Sequence, residues 1–265
     1  MTAYICVTCG VQYPPSATRP PSCPVCDDFR QYVGLDGQQW TTLEDLRRDR
    51  RNRIDRLEPG VHSVHTDPKF AIAQRCLRVQ SESGAVLWDC LSLLDDDTIQ
   101  ALGPVDAIAI SHPHYYATMI EWSEVLGNAP ILIHEDDRQW VVRPDPRVHF
   151  WSGETFPVNR DLTLIRTGGH FEGAQVLHWN RGALFTGDVI QVVPDRRWVS
   201  FMRSYPNYIP LPASAVRRIV DAIEPFAFDR LYGAWPKLEI LSDAKAVVHR
   251  SAARYISALS EMSNL

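Results

Sequence analysis

The chain is predicted to be an α+β protein, two sheets covered by helices, preceded by a small four-cysteine unit. Three observations predict it. From Val61 onward short β-rich runs come first, with helical patterns inserted between and after them. Four of the six cysteines form two Cys-x2-Cys pairs near the N-terminus. The 265 residues, 45% apolar and 22% charged, suffice for one large core with a small appendage.

Composition narrows the function classes. Lys plus Arg number 27 against 32 Asp plus Glu, a net charge of −5. That balance argues against nucleic acid or an anionic membrane as partner. No apolar run is long enough to span a bilayer. The N-terminus lacks a basic segment followed by an apolar one, so a cytoplasmic location is expected. There, six cysteines serve as metal ligands or free thiols rather than disulfides. The expected partner is a small-molecule substrate. Nothing in the composition specifies an oligomeric state.

Residues 1–40 read as a unit of their own. Cys6 and Cys9, then Cys23 and Cys26 after thirteen intervening residues, have the spacing of a four-thiolate site. The segment is too small for an apolar core, and a metal ion supplies the missing free energy. Tyr4-Ile5-Cys6-Val7-Thr8-Cys9-Gly10 and Cys23-Pro24-Val25-Cys26 resemble rubredoxin or zinc-ribbon knuckles. One Zn2+, or Fe, is expected; with no electron partner visible, the structural role is preferred.

Residues 41–60 are predicted to be a helical linker. Thr41 and Glu44 form a capping box, and the helix is expected to run through Arg47, Arg48, Arg50, Arg51, Arg53 and Arg56. Interleaved Asp45, Asp49 and Asp55 mark a solvated face rather than a phosphate-binding one. Pro59-Gly60 ends it, and residues 61–265 form the main domain. Within it, strands are expected at 61–64, 71–79, 85–87, 107–110, 130–134, beside His149, and at 162–166, 175–179, 183–185 and 230–232. Helices are expected at 95–102, 116–126, 213–223 and 242–259. Cys76, within a strand, is read as core.

Three strand ends carry the chemistry. His112-Pro113-His114 follows the apolar run 107–110, Gly168-Gly169-His170 follows 162–165, and Thr186-Gly187-Asp188 follows 183–185. Each sets a ligand-type side chain just past a rigid strand, where metal sites are built. In this order the motifs resemble the metallo-β-lactamase superfamily over roughly residues 60–260. The strand ends Leu87-Trp88-Asp89 and Leu231-Tyr232-Gly233 add to the resemblance.

That resemblance implies an αββα sandwich with the metal at the edge where the two sheets meet. It implies hydrolysis of esters, thioesters, amides or phosphoesters, with a few redox members. The family's His-x-His-x-Asp-His motif reads here with Tyr116 and Ala117 in its last two positions. The late turn that carries the family's final histidine reads Gly233-Ala234-Trp235-Pro236. The second metal's own ligands are therefore absent, and one Zn2+ (or Fe2+) is expected on His112, His114 and His170. Asp188 is expected as fourth ligand or base, and Asp188 and Tyr116 as the catalytic candidates.

The function expected is a mononuclear metal-dependent hydrolase. One alternative is a non-haem iron redox enzyme resembling persulfide dioxygenases, using His112, His170 and Asp188 as a facial triad. The other is a non-catalytic metal-binding protein. Around the site, Tyr115 or Tyr116 either points a hydroxyl at the metal or packs a ring over it. Glu172 is a solvated carboxylate or a base. Residues 201–210 with Trp235 suggest a partly apolar pocket in which Arg203 holds a carboxylate or phosphate. His134 caps its strand, and His149 and His178 are structural.

Overall fold

The computed structural model describes residues 1–262. The N-terminal unit contains β1 (Ile5–Cys6), α1 (Pro24–Asp27) and β2 (Trp40–Thr41), followed by α2 (Leu43–Asp49). Strands β1 and β2 pair antiparallel, Cys6 opposite Trp40, so the unit closes on itself at Thr41.

The main body opens with β3 (Arg51–Glu58), β4 (Val61–Asp67), β5 (Arg75–Ser81) and β6 (Gly84–Trp88). After α3 (Asp96–Leu102) come β7 (Ala107–Ala109), α4 (Met119–Val125), β8 (Ile131–His134) and β9 (Val148–Trp151). Strands β3 to β9 form one sheet in chain order, antiparallel up to β6 and parallel from β6 to β9. A second sheet begins with β10 (Thr155–Pro157), β11 (Leu162–Arg166), β12 (Gln175–Trp179) and β13 (Ala183–Gly187). Two small ribbons follow, β14 (Gln191–Val192) with β15 (Val199–Ser200), and β16 (Met202–Ser204) with β17 (Ile209–Pro210). After α5 (Ala213–Ile223), β18 (Arg230–Gly233) pairs parallel to β13, β19 (Glu239–Ile240) completes the sheet, and α6 (Ala244–Met262) ends the described chain.

Strand alternation sorts the side chains into layers. Val86, Trp88, Ala107 and Ala109 of the first sheet meet Leu164, Leu177, Phe185 and Tyr232 of the second in a buried layer between them. Leu87, Ile108 and Ile131 point the other way, against Leu102, Met119 and Trp122 and against the four-cysteine unit. Leu184, Val176 and Leu231 likewise meet Val216, Ile219 and Val248 of α5 and α6. The result is a helix–sheet–sheet–helix sandwich, as the sequence predicts. No helix among the described residues is long and apolar enough to cross a membrane.

Two expectations are corrected. The helix expected across 41–60 is only α2, and Thr42, not Thr41, caps it by accepting the Asp45 N–H at 3.1 Å. The arginine-rich remainder is β3, paired along its length with β4 through the Pro59-Gly60 turn. Its alternation of Asn52, Ile54 and Arg56 with charged residues fits an edge strand as well as a solvated helix, and the hairpin partner decides. The helix expected at 116–126 starts at Met119, because Pro113–Tyr115 form a 3-10 turn and Ala117 adopts a φ of 44°.

Candidate metal centre

The first two histidines stand where β7 runs out. Ser111 donates its N–H to the Asp89 carboxylate at 2.7 Å, pinning the loop to the end of β6. Gln175 at the start of β12 donates to the carbonyls of Ile110 (2.7 Å) and Leu132 (3.1 Å) and accepts from Trp151 Nε1 (2.8 Å). One buried amide thus ties the ends of β7, β8 and β9 to the opposite sheet. The 3-10 turn then folds His114 back beside His112. Gly187 has a φ of 54°, and a Cβ there would meet Ser111 Oγ at 2.7 Å. Only glycine lets this turn approach so closely.

His170 arrives from the second sheet. Gly169, with a φ of 89°, turns the chain into it; a Cβ there would lie 2.8 Å from Ile219 Cδ1. His170 Nδ1 donates to the Met202 carbonyl at 3.0 Å, which leaves Nε2 with its lone pair. That Nε2 stands 3.2 Å from His114 Nδ1. Nitrogens held about 2.0–2.1 Å from a tetrahedral ion lie about 3.4 Å apart, so the spacing fits a shared metal. One nitrogen from each of His112, His114 and His170 lies within 4.8 Å of the others.

Asp188 follows Gly187, and its Oδ1 is 3.1 Å from His112 Nε2. Neither atom makes a hydrogen bond. The three histidines and Asp188 are buried, at 1%, 3%, 1% and 4% exposure. Burial holds His112 and His114 well below their ordinary pKa and lowers His170 to about 4. Burial, then the charge of Asp89, pushes Asp188 up to about 8. Three buried imidazoles with a buried carboxyl group beside His112 are a donor set that suits a cation.

Other predicted residues are placed as follows. Tyr116 is not brought to the histidines. Its buried hydroxyl is directed at the Asp137 carbonyl, 3.4 Å away, because the 3-10 turn rotates it toward the helical face of the first sheet. Tyr115 takes the place beside the site. Its ring meets His112 edge-on at 4.8 Å, and its hydroxyl is buried without a partner. Tyr205 donates its hydroxyl to the Asp188 carbonyl oxygen at 2.8 Å. His134 accepts the Asp136 N–H and so caps the turn after β8. His149 is exposed on β9, and His178 bonds the Ala227 carbonyl. Trp235 donates to the Ile72 carbonyl and, partly buried, packs against the core.

The four cysteines converge as expected, all Sγ within 4.8 Å of one another. Cys6 and Cys26 stand 3.5 Å apart, and Cys9 and Cys23 3.7 Å. Four sulfurs about 2.3 Å from one ion have edges of about 3.8 Å. A disulfide would need about 2.05 Å. Gln38 Nε2 approaches Cys6 Sγ at 3.1 Å, a donor that suits a thiolate.

Sequence reading missed two residues. Phe171 is fully buried, with its ring centroid 5.0–5.4 Å from all three imidazoles. Arg30, from the four-cysteine unit, lies over that ring with its guanidinium carbon 4.4 Å from the centroid. The signal for Phe171 was its position directly after His170. Arg30 had no signal, because Phe171 and Glu172 stand 141 and 142 positions away along the chain.

The sandwich and its edge-lying donor set define a protein of the metallo-β-lactamase fold carrying an additional N-terminal four-cysteine cluster. Among solved structures, the metallo-β-lactamase VMB-1 is similar with a TM-score of 0.60 at 14% identity, over 79% of this chain and 98% of that one. DIM-1 metallo-β-lactamase gives 0.60 at 14%, over 78% and 98%. The flavodiiron core Flv1 of Synechocystis sp. PCC6803 gives 0.55 at 14%, over 78% and 61%. No family model matches the sequence. The chain belongs to the family of the uncharacterized protein YmaE of Bacillus subtilis (strain 168), with 50% identity over 269 residues, 98% of this chain and 97% of that one.

Proposed function

We propose that the three-histidine centre holds one divalent metal ion and that the chain is a mononuclear metal-dependent hydrolase of a small-molecule substrate. The observation that carries this reading is the convergence of three buried imidazoles, one ring nitrogen of each within 4.8 Å of the others, with His112 Nε2 left without a hydrogen-bond partner. His112, His114 and His170 would hold the ion. A bound Zn2+ would supply Lewis acidity toward a substrate carbonyl or phosphoryl oxygen. Asp188 Oδ1, unpartnered beside His112, is placed to complete the ligand set or to accept a proton from attacking water. The Met202 carbonyl fixes the orientation of the His170 ring, and Phe171 and Tyr115 exclude bulk water. Tyr116, turned to the Asp137 carbonyl, is assigned to packing rather than proton handling.

A single ion is supported by Tyr116 and Ala117 in the second-metal positions and by the absence of histidine from residues 233–236. The four-cysteine cluster is assigned a closed, structural Zn2+. A reducing, cytoplasmic setting suits its thiols and the two further unpaired cysteines, Cys76 and Cys90. One observation favours iron at the histidine centre instead: Asp188 Oδ1 lies 3.1 Å from His112 Nε2, and with His170 these residue types match the two-histidine, one-carboxylate set of mononuclear iron enzymes.

The test is elemental analysis of anaerobically purified protein beside His112→Ala. Two zinc ions per chain, falling to one in the variant, are expected. Iron lost with His112 would move the assignment to redox chemistry. Equal metal in both proteins would remove the basis for catalysis.

A further inference from the structure

The four-cysteine unit reaches the metal centre through one loop. Residues 28–31 follow Cys26 after a single intervening residue and pack on Phe171, whose ring lies against all three imidazoles. Arg30 is the centre of this contact. Its guanidinium carbon lies 4.4 Å from the centroid of Phe171, a ring that also meets the three imidazoles at 5.0–5.4 Å, so Phe171 links Arg30 to the histidines. Arg30 is held from both sides of the contact: by Asp28 at 3.1 Å within the loop and by Glu172, two residues past His170, at 3.1 Å. The backbone is tied as well. Ser204 Oγ donates to the Arg30 carbonyl at 3.0 Å, and Asn207 Nδ2 donates to the carbonyls of Phe29 and Gln31, both at 2.9 Å. Ser204 belongs to β16, the same strand whose Met202 carbonyl orients His170.

We propose that residues 28–31 are a gate on the histidine centre, with Arg30 as the plug and the four-cysteine cluster as its anchor. Substrate reaches the site only when the loop lifts from Phe171 and the β16–β17 ribbon. The weak point is Glu172. Its side chain is 53% exposed while that of Arg30 is 6% exposed, so solvent competes for one partner only. Breaking the Arg30–Glu172 pair frees the loop without uncovering the cysteine ligands. The anchor works because Asp28 is bonded to Pro24 at the end of α1, between whose ends Cys26 lies. A chain held by a closed four-thiolate site cannot drift from the main body when the gate opens.

This inference rests on the histidine centre being the working site, but its test does not need metal there. The full-length protein is freed of metal at the histidine centre and treated with diethyl pyrocarbonate. Carbethoxylation of His112, His114 and His170 is followed by mass spectrometry, with exposed His149 as internal control. Labelling of a covered group scales with the population of the open state. Loss of a charge-assisted hydrogen bond raises that population about tenfold or more. In Arg30→Ala, Glu172→Gln and Asn207→Ala, labelling of the three histidines is expected to rise about tenfold over wild type, His149 staying constant. Cys23→Ser, which unpins the anchor, raises it too. Should Arg30→Ala fail to fold, the Glu172 and Asn207 variants decide alone. Unchanged labelling in folded latch variants overturns the gate. A histidine centre that binds no metal would instead sink the proposed function and leave the labelling ratio to stand.

Discussion

Arg75 shows how much one buried side chain holds in this molecule. It is almost fully buried, donates Nε to the Gly233 carbonyl at 2.9 Å, and pairs with Glu239. It thereby joins β5 of one sheet to the β18–β19 turn of the other. Removing it strands a mostly buried carboxylate. Arg75→Met is expected to cost about 3–5 kcal/mol in urea unfolding, and Arg75→Met with Glu239→Leu to recover much of that loss. His178 gives a second residue-scale prediction. Burial holds its pKa below the ordinary 6.5, against the opposing bond to the Ala227 carbonyl. The unfolded chain therefore takes up the proton first, and this contribution to stability is present above about pH 6.5 and lost as pH falls below it. Denaturant midpoints at about pH 7.5 and about pH 5.5 should differ less in His178→Gln than in wild type. An equal difference would mean that other groups set the acid limb.

Among the elements, the turns after strands matter more than the strands. His112, His170 and Asp188 come from three different turns, and two of these have a glycine where a side chain has no room. Gly169→Ala would force a Cβ toward Ile219 of α5 and impose a φ of 89° on alanine. The expected result is a loss of about 1–3 kcal/mol together with reduced metal at the histidine centre, read by calorimetry and elemental analysis. Normal occupancy in the variant would show that the turn does not position His170. The strand β3 teaches the complementary lesson. Its sequence has a good cap upstream and interleaved charges, which are also marks of a solvated helix. Only pairing with β4 across Pro59-Gly60 makes it a strand, and pairing partners are not a local property.

For the whole molecule, the two candidate metal sites lie on either side of one contact. The N-terminal unit does not stand apart: Cys6, Cys9, Val25 and Cys26 share a core with Leu91, Tyr116 and Ala117. Gln12 donates its N–H to the Ala117 carbonyl, and Ser92 donates to the Gly10 carbonyl. Cys9→Ser is therefore expected to do more than remove one metal ion. The thermal midpoint should fall by several degrees, about 2–4 °C per kcal/mol for a domain of this size, with the transition still cooperative. A separate early transition for the N-terminal unit would show it to be energetically independent.

The residues themselves determined a good part of this. Paired Cys-x2-Cys knuckles, His112-x-His114, the Gly-Gly-His170 turn and Gly187-Asp188 are local signatures, readable because each needs a particular residue type at a fixed spacing. Alternation of apolar residues marked most strands, and helix α5 was legible to its ends. Tertiary structure decided what depends on distant neighbours. It set which tyrosine faces the site, since a 3-10 turn sends Tyr115 to His112 and Tyr116 to the Asp137 carbonyl. It turned the arginine-rich segment into an edge strand. It also laid Arg30 over Phe171, joining residues 141 positions apart. Spacing along the chain encodes ligands that share a turn. Contacts between distant segments arise only when the sheets pack and bring the two together.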